Sequence, residues 1–319
     1  MARRLTTTDL IAETRSVLDE NNESNVDDDA DILPALNRAL DYASNILTRH
    51  YESPLLVYQT VTITPGEQEF DIPEDALEQR LEKVEVFIGQ SYFPVKRLDY
   101  RDITTFDIPS QTNIPYYYTV IGSKYRLTPQ PTSNYPLRIW YLKEPEQLVK
   151  EQGRITVINS ASNYCIVDSI GEDLTTNTDD LLSYVNIVDA QTGIIKVSLQ
   201  IQNIQGNKIT FKSTPTRSTV MNKTIDDAIP TTVALDDLLC VVEGTCIPFF
   251  KKPFTNFLIQ YAVAEITRKL GGTSDAEYKV LKDLEQQVER SWVGRQQSLR
   301  VKKVNRNWAV PSRRWFDIR

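Results

Sequence analysis

The segment Ile195-Lys196-Val197-Ser198-Leu199-Gln200-Ile201 alternates branched apolar residues with polar ones. Strict alternation is typical of a β-strand with one buried face, because successive side chains of a strand point to opposite sides. Gly206-Asn207 lie shortly afterwards, between Ile204 and Ile209, and predict a two-residue hairpin loop. We therefore expect a β-hairpin here, with the apolar side of the first strand inside and its polar side outside.

The residues around this hairpin, from about 152 to 246, have the same β character. Short runs rich in branched apolar residues recur along this stretch and predict further strands at 155–158, 164–167, 184–188 and 238–242. About six short strands suit a small barrel or sandwich that forms a module of its own. We expect an independent all-β domain over residues 151–246.

The stretch from residue 55 to residue 145 predicts a second, smaller β section. A threonine-rich run from Leu55 to Thr64 reads as a strand and is ended by Pro65-Gly66, which favour a turn. Later strands are expected at 81–88, 94–98 and 137–142, and prolines separate most of these segments. This pattern favours a small sheet with irregular connections over a βαβ unit.

Helical periodicity appears at both ends of the chain. Thr6 and Asp9 can begin a first helix, and Asp31 begins a second that tolerates Pro34 in its first turn; together they predict a helical hairpin. A third helix follows Pro253. The first helix is expected to bury Leu10, Ile11, Thr14, Val17 and Leu18, and the third carries a core face formed by Phe254, Phe257, Leu258, Tyr261 and Ile266.

These segments together predict an α+β fold. At 319 residues the chain can hold two modest domains or one domain with a large insertion. We expect a helical bundle of N- and C-terminal helices with a small β section, into which an all-β barrel or sandwich is inserted. The predicted boundaries are 1–150 and 247–293 for the core, 151–246 for the inserted domain, and 294–319 for a C-terminal tail.

Charge is distributed unevenly along the chain. The net charge is −7, yet residues 291–319 contain eight Lys or Arg and one acid, so they carry +7 while the remainder carries −14. Such asymmetry is typical of a protein whose end docks elsewhere. We predict that the tail binds a protein partner through Arg295, Arg300, Lys302, Lys303, Arg306, Trp308, Arg313, Arg314, Trp315 and Phe316.

Two other interpretations of the tail remain open. It could be a solvated, disordered extension, or an arm that binds nucleic-acid phosphates. Three large aromatic residues within a short stretch argue against pure disorder, since disordered segments are usually poor in aromatics.

The sequence offers little that could support catalysis or metal binding. Its single histidine, His50, cannot form a dyad or a histidine metal cluster, and no phosphate loop, dinucleotide motif or nucleophile elbow is present. The acidic run Asp27–Asp31 resembles a calcium loop, but Ser24 and Ala30 stand where glycine and bidentate glutamate are required. We expect no catalytic residues, no cofactor and no metal, and hence a protein that is not an enzyme.

Cysteine use and hydropathy narrow the class of protein further. Cys165, Cys240 and Cys246 are odd in number and unrelated in spacing, which favours buried thiols in a reducing compartment. No run of about 18 apolar residues is present, so no membrane span is expected. The N-terminal residues lack the apolar core of a secretory signal.

The order of segments, together with three sequence stretches, resembles the head-to-tail adaptor (connector) proteins of short-tailed bacteriophages. Glu69-Phe70-Asp71-Ile72-Pro73-Glu74-Asp75 is similar to the family's strand that ends in proline and an acidic turn. Residues 125–131 and 137–141 resemble its two strands around a Pro-x-Pro segment, and Pro248 to Gly272 resembles its aromatic-rich helix. The likeness covers roughly 1–145 and 247–319, and the β domain between them is a departure from it.

The resemblance implies a structural role in the virion, at the head-to-tail junction, with assembly in the host cytoplasm. Twelve copies would form a homo-oligomeric ring under the portal protein, extend the channel through which double-stranded DNA passes, and carry the tail nozzle and possibly tail fibres. Such adaptors often stay monomeric until a portal templates the ring. No membrane partner is implied.

Two rival functions stay open. A receptor- or glycan-binding virion tail protein would act through the inserted β domain. A DNA-binding protein would act through the basic tail, with an affinity that falls steeply as salt is added.

Overall fold

The predicted α+β class is confirmed by the structure, a computed structural model. It describes residues 4–18, 25–48, 55–102, 114–176, 180–217, 219–220, 223–242, 244–248, 254–270 and 279–286.

Helix α1 begins where its sequence predicts, and the second helical segment is capped by Asp27, four residues before the predicted start at Asp31. Helix α1 spans Thr7–Leu18, and a short π-helical turn, Asp28–Ile32, leads into α2, Leu33–Thr48. The Thr6 amide donates to Asp9 Oδ2 over 2.9 Å and the Asp9 amide donates to Thr6 Oγ1 over 3.2 Å, so each residue satisfies a free amide of the other. The predicted start of α1 is therefore confirmed.

The third helix, α3, spans Phe254–Lys269 and joins the two N-terminal helices. Both α1 and α2 pack against α3 rather than along each other, so the predicted N-terminal hairpin is wrong. Val17 was expected to be buried but is 49% exposed. The three helices share one apolar core, to which α1 contributes Leu10 and α2 contributes Leu36.

Seven strands form the first sheet. They are β1 Leu56–Ile63, β2 Glu69–Asp71, β3 Ala76–Ile88, β4 Ser91–Arg97, β5 Tyr117–Ile121, β6 Lys124–Thr128 and β7 Tyr135–Lys143. Their order in the sheet is β1-β7-β3-β4-β5-β6-β2. Neighbours are antiparallel except β4 and β5, which are parallel.

This sheet curls on itself into a half-barrel. The strands at its two edges, β1 and β2, are consecutive in the chain and are joined only by residues 64–68. Such a short link brings the two edges together at one end and wraps the sheet around a core. Ile63 and Leu137 from one side of the sheet share this core with Tyr125 and Leu127 from the other.

The remaining strands include a closed barrel. In chain order they are β8 Gln147–Leu148, β9 Gly153–Asn159, β10 Tyr164–Val167, β11 Tyr184–Val188, β12 Ile195–Gln205, β13 Lys208–Phe211, β14 Thr219–Val220, β15 Lys223–Thr224, β16 Leu238–Val241 and β17 Gly244–Thr245. The barrel closes in the order β10-β13-β12-β11-β16-β9. Gln205 pairs with Lys208, so the two-residue Gly206-Asn207 loop is confirmed.

The polar side of β12 is buried, so the prediction that it faces outward is wrong. Ser198 donates to Asn186 Oδ1 over 2.6 Å, Gln200 donates to the Tyr184 hydroxyl over 3.1 Å, and both polar residues are buried. The chain after β13 crosses this side, since the Thr216 amide donates to Gln200 Oε1 over 2.6 Å. The second face of β12 is therefore an internal polar layer covered by a distant segment.

Candidate protein-interaction surface

The ten tail residues predicted to bind the portal all lie outside the described residues. They are Arg295, Arg300, Lys302, Lys303, Arg306, Trp308, Arg313, Arg314, Trp315 and Phe316. Their docking role stays a prediction.

The five residues predicted as the core face of the C-terminal helix lie on α3. Phe254, Phe257, Leu258 and Ile266 are buried between α1 and α2, and Tyr261 is half-buried. The ring of Tyr261 lies 5.5 Å from that of Tyr42 on α2. These side chains pack the helical core, so the outer surface of the sheet is the candidate for partner binding.

Strand β7 places a basic and an aromatic side chain on the outer face of the half-barrel. Leu137, Ile139 and Tyr141 point into the core, and the intervening Arg138 and Trp140 point outward, as the period of two requires. The neighbouring strand β1 is paired in continuous register with β7, with Tyr58 opposite Trp140.

Arg138 is the centre of an aromatic surface that we define as Tyr58, Phe87, Tyr92, Arg138 and Trp140. The guanidinium carbon of Arg138 lies 3.8 Å from the centre of the Tyr92 ring and 4.7 Å from that of Tyr58. The Tyr58 and Trp140 rings are 5.0 Å apart, as are those of Phe87 and Tyr92. Cation–π and tilted ring contacts of this kind are attractive and hold the side chains in place.

Glu85 supports this surface from below. It is 8% exposed, accepts a hydrogen bond from Trp140 Nε1 over 2.8 Å, and pairs with Lys83 Nζ at 2.5 Å and Arg138 Nη1 at 3.9 Å. Burial acts to raise the Glu85 pKa, but these hydrogen bonds and positive charges outweigh it, so the pKa lies below its ordinary value. Glu85 is thus an anion that orients the indole and one cation.

The aromatic surface has the composition of a protein-binding site. Tyr58 is 53% exposed, and tyrosine, tryptophan and arginine are the residues that contribute most often to interface hot spots. Lys83 and Arg138 supply two positive charges against the single carboxylate of Glu85, so the local charge favours an acidic partner. Side chains already ordered by mutual contact lose less conformational entropy on binding.

A cleft lies where the half-barrel meets the closed barrel. Leu55 and Val57 form one wall, Ile194 and Ile195 form the other, and the enclosed volume is about 300 Å³. Ile194 is 60% exposed although it is a large apolar residue. This cleft borders β1 on the side opposite to Tyr58, because Val57 and Tyr58 are consecutive in the strand.

Both connections to the closed barrel run side by side. Strand β8 leads into it and β17 leaves it, and the two are parallel neighbours. Asn37 of α2 forms two hydrogen bonds with Leu148 of β8, and the Thr7 amide at the start of α1 donates to the Cys246 carbonyl over 2.8 Å. The base of the barrel is therefore held against the helices.

A second groove lies among the helices. Val17 of α1, Ile259 of α3, and Val280 and Leu284 of the helical residues 279–286 line a volume of about 430 Å³. Val17 is exposed, contrary to the helical pattern, because it lines this open groove and does not pack in the core.

Within the described part of the chain, His, Cys, Asp and Glu side chains form no group of three or more that could hold a metal ion. The three cysteines are free and buried, and burial raises the pKa of the Cys165 thiol to about 12. Among the helices of the described ranges, none is long and apolar enough to span a membrane.

Comparison with known families identifies the class of protein. The chain belongs to the SU10 adaptor protein family, whose match covers residues 5–184. This span contains α1, α2 and the whole half-barrel with the aromatic surface, and it extends over β9 and β10 of the closed barrel. No curated protein matches the chain.

The family match confirms the predicted resemblance to phage head-to-tail adaptors. The protein is thus a structural adaptor of a bacteriophage virion, a class that interacts with other head-to-tail proteins and is not known to be enzymatic. An inserted domain with the boundaries 151–246 remains a prediction.

The sequence alone does not predict the aromatic surface as a candidate site. Residues 137–141 were noted for their family likeness, and their alternation already separates Arg138 and Trp140 from three core residues. That signal identifies the outer face of one strand. It cannot show that Tyr58 and Tyr92, from two other strands, lie against the same guanidinium.

Proposed function

We propose that this protein forms a ring of twelve copies beneath the portal, links head to tail and extends the channel for double-stranded DNA. The observation that carries the proposal is the adaptor-family match over residues 5–184. A position in the virion at the head-to-tail junction, reached after assembly in the host cytoplasm, follows from this role.

The charge distribution supports a division of labour within each copy. The basic segment 291–319 carries +7 and provides the portal-docking residues. The rest of the chain carries −14, and an acidic channel wall repels the DNA phosphates and lets DNA slide without binding. The docking role rests on Arg and Trp as residues that commonly anchor interfaces.

The closed barrel is proposed as an inserted domain that contacts the tail nozzle or fibre proteins. Its support is the parallel pairing of β8 with β17, which sets the entrance and exit of the barrel next to each other. Neighbouring ends are what allow one domain to be inserted into another without disturbing it.

Native mass spectrometry tests the ring. We expect the purified protein to be monomeric alone and to join its phage's portal protein in a stoichiometric ring. A monomer that ignores the portal would overturn the proposal and favour a receptor- or glycan-binding protein that acts through the barrel.

Charge reversal tests the docking tail. Arg313→Glu with Arg314→Glu should abolish portal binding and leave the circular dichroism spectrum and melting temperature unchanged. Arg101→Glu with Arg217→Glu, two exposed positions elsewhere, makes the same change in net charge and should bind normally. Equal binding by both double variants would disprove tail docking.

A deletion tests the barrel. Replacing residues 151–242 with about six glycines and serines can bridge the adjacent strands β8 and β17 and leaves the Thr7–Cys246 hydrogen bond in place. We expect portal binding to persist and a tail component to be missing from the particle. Particles with a complete tail would contradict the proposed role of the barrel.

A further inference from the structure

Among the described residues, strand β1 has an open edge. It lies at one end of the seven-stranded sheet and pairs with β7 alone among the strands of the described residues. Every second residue of an antiparallel edge strand directs its amide and carbonyl away from the sheet, so about half of the eight residues have free backbone groups. The eight pairs with β7 follow one another in unbroken register.

The sequence of β1 lacks the features that usually protect such an edge. Residues 56–63 contain no charged residue, no proline and no bulge. Natural sheets block exposed edges with lysine, proline, bulges or very short strands because an open edge accepts foreign strands. The opposite edge of the same sheet is protected, since β2 has three residues and exposes Glu69 and Asp71.

The two faces beside this edge differ in chemistry. On one side Val57 borders the apolar cleft that Ile194 and Ile195 close. On the other side Tyr58 leads to Arg138 and the exposed ammonium of Lys83. Arg138 Nε is buried between its neighbours and lacks a hydrogen-bond partner within the described structure.

We propose that the edge of β1 binds an extended segment of a partner protein as an added strand. Its backbone pairs with residues 56–63, one apolar side chain enters the Val57–Ile194 cleft, and a carboxylate on the opposite face lies near Arg138 and Lys83. Main-chain pairing supplies affinity and the alternating side chains supply specificity, as in other cases of strand addition. This inference does not depend on the ring, the portal or the tail.

Hydrogen–deuterium exchange measures the edge directly. In the free protein the outward amides of residues 56–63 should exchange rapidly, and in the assembled phage particle we expect them to exchange at least about tenfold more slowly. Unchanged exchange of this strand in the particle would overturn the proposal. Slowing that grows with the concentration of the isolated protein would make a second copy the occupant and overturn a separate partner.

Two peptide probes test the chemistry of the partner. One alternates valine with glutamate over nine residues, and the other replaces each glutamate with lysine. We expect only the glutamate peptide to slow exchange in residues 56–63, and Arg138→Gln to weaken that effect several-fold. Equal protection by both peptides would contradict the acidic partner.

A lysine in the edge provides the genetic test. Thr62 is exposed on β1 opposite Pro136, and Thr62→Lys adds the charge that natural edges use to repel strands. Ser91→Lys makes a similar change at an exposed position of β4, opposite Ile88 and away from the β1 edge. Thr62→Lys should lower incorporation into particles with an unchanged melting temperature, and Ser91→Lys should not; equal incorporation would refute strand addition.

Discussion

Asn37 of α2 and Leu148 of β8 bind each other through two hydrogen bonds. Asn37 Nδ2 donates to the Leu148 carbonyl over 3.1 Å, and the Leu148 amide donates to Asn37 Oδ1 over 2.7 Å. Leu148 itself belongs to the helical core. One side chain on α2 therefore completes the backbone pairing of the strand that leads to the closed barrel.

Removing this side chain should destabilise the protein at the base of the barrel. Asn37→Ala leaves a buried amide and a buried carbonyl without partners, and we expect a loss of about 2 to 3 kcal/mol in unfolding free energy, measured by urea denaturation. Asn45→Ala, an exposed asparagine on the same helix, is the matched control and should change stability little. Equal effects of the two substitutions would contradict the role of Asn37.

Arg138 should not be replaceable by lysine. A lysine keeps the charge but lacks the planar guanidinium that lies against Tyr58 and Tyr92, so Arg138→Lys should cost about 1 kcal/mol of stability. Thermal denaturation of the variant, with Arg101→Lys at an exposed position as control, checks this. A variant as stable as the parent would show that the stacking contributes nothing.

The stability contributed by Glu85 should depend on pH. Its pKa is lower in the folded protein than its ordinary value of about 4.3, so its contribution is complete above that value and is lost as pH falls through the folded pKa. Glu85→Gln should therefore be less stable than the parent at pH 7 by about 1 to 2 kcal/mol, with a smaller difference at pH 3.

Urea denaturation of both proteins at the two pH values measures this difference. Glu172→Gln, at an exposed carboxylate, controls for the chemical change. A difference that stays constant between pH 7 and pH 3 would exclude Glu85 as an ionised, hydrogen-bonded group.

Asn186 should be essential for the barrel. Its amide donates to the carbonyls of Val242 and Gly244 over 3.1 and 2.9 Å, and its oxygen accepts from Ser198 over 2.6 Å. Asn186→Ala removes these hydrogen bonds from buried groups and should cost about 3 kcal/mol, more than Ser198→Ala. A double-mutant cycle should give a coupling energy above about 0.5 kcal/mol; a value near zero would mean the two residues act independently.

The sequence predicted those features that depend on near neighbours in the chain. Thr6 and Asp9 predicted the start of α1 because a capping interaction joins residues only three positions apart. The Gly206-Asn207 turn and the alternation of β7 are equally local. The family likeness was also recognisable, since residues 69–75, which carry part of it, lie within the matched span.

Features that depend on distant segments could not be predicted. Gln200 looked like a solvent-facing residue, and it is buried because Thr216 and the chain beyond it cross that side of the barrel. The predicted hairpin of α1 and α2 was wrong for the same reason. Helix α3, which lies far along the chain, packs against the faces that α1 and α2 were expected to bury against each other. The aromatic neighbours of Arg138 lie on β1 and β4, and the local sequence pattern does not determine where these strands lie in the sheet.

The packing of α1 and α2 on α3 determines when this protein can finish folding. The ion pair between Arg38 and Glu265, at 2.6 Å, joins residues 227 positions apart, so the N-terminal helices emerge from the ribosome long before their partner exists. The strand pairs of the half-barrel and the closed barrel join residues no more than 86 positions apart and can form earlier. Adaptor chains that stop before Phe254 would expose the apolar faces of two helices, so only a chain that includes α3 becomes available to the assembling particle.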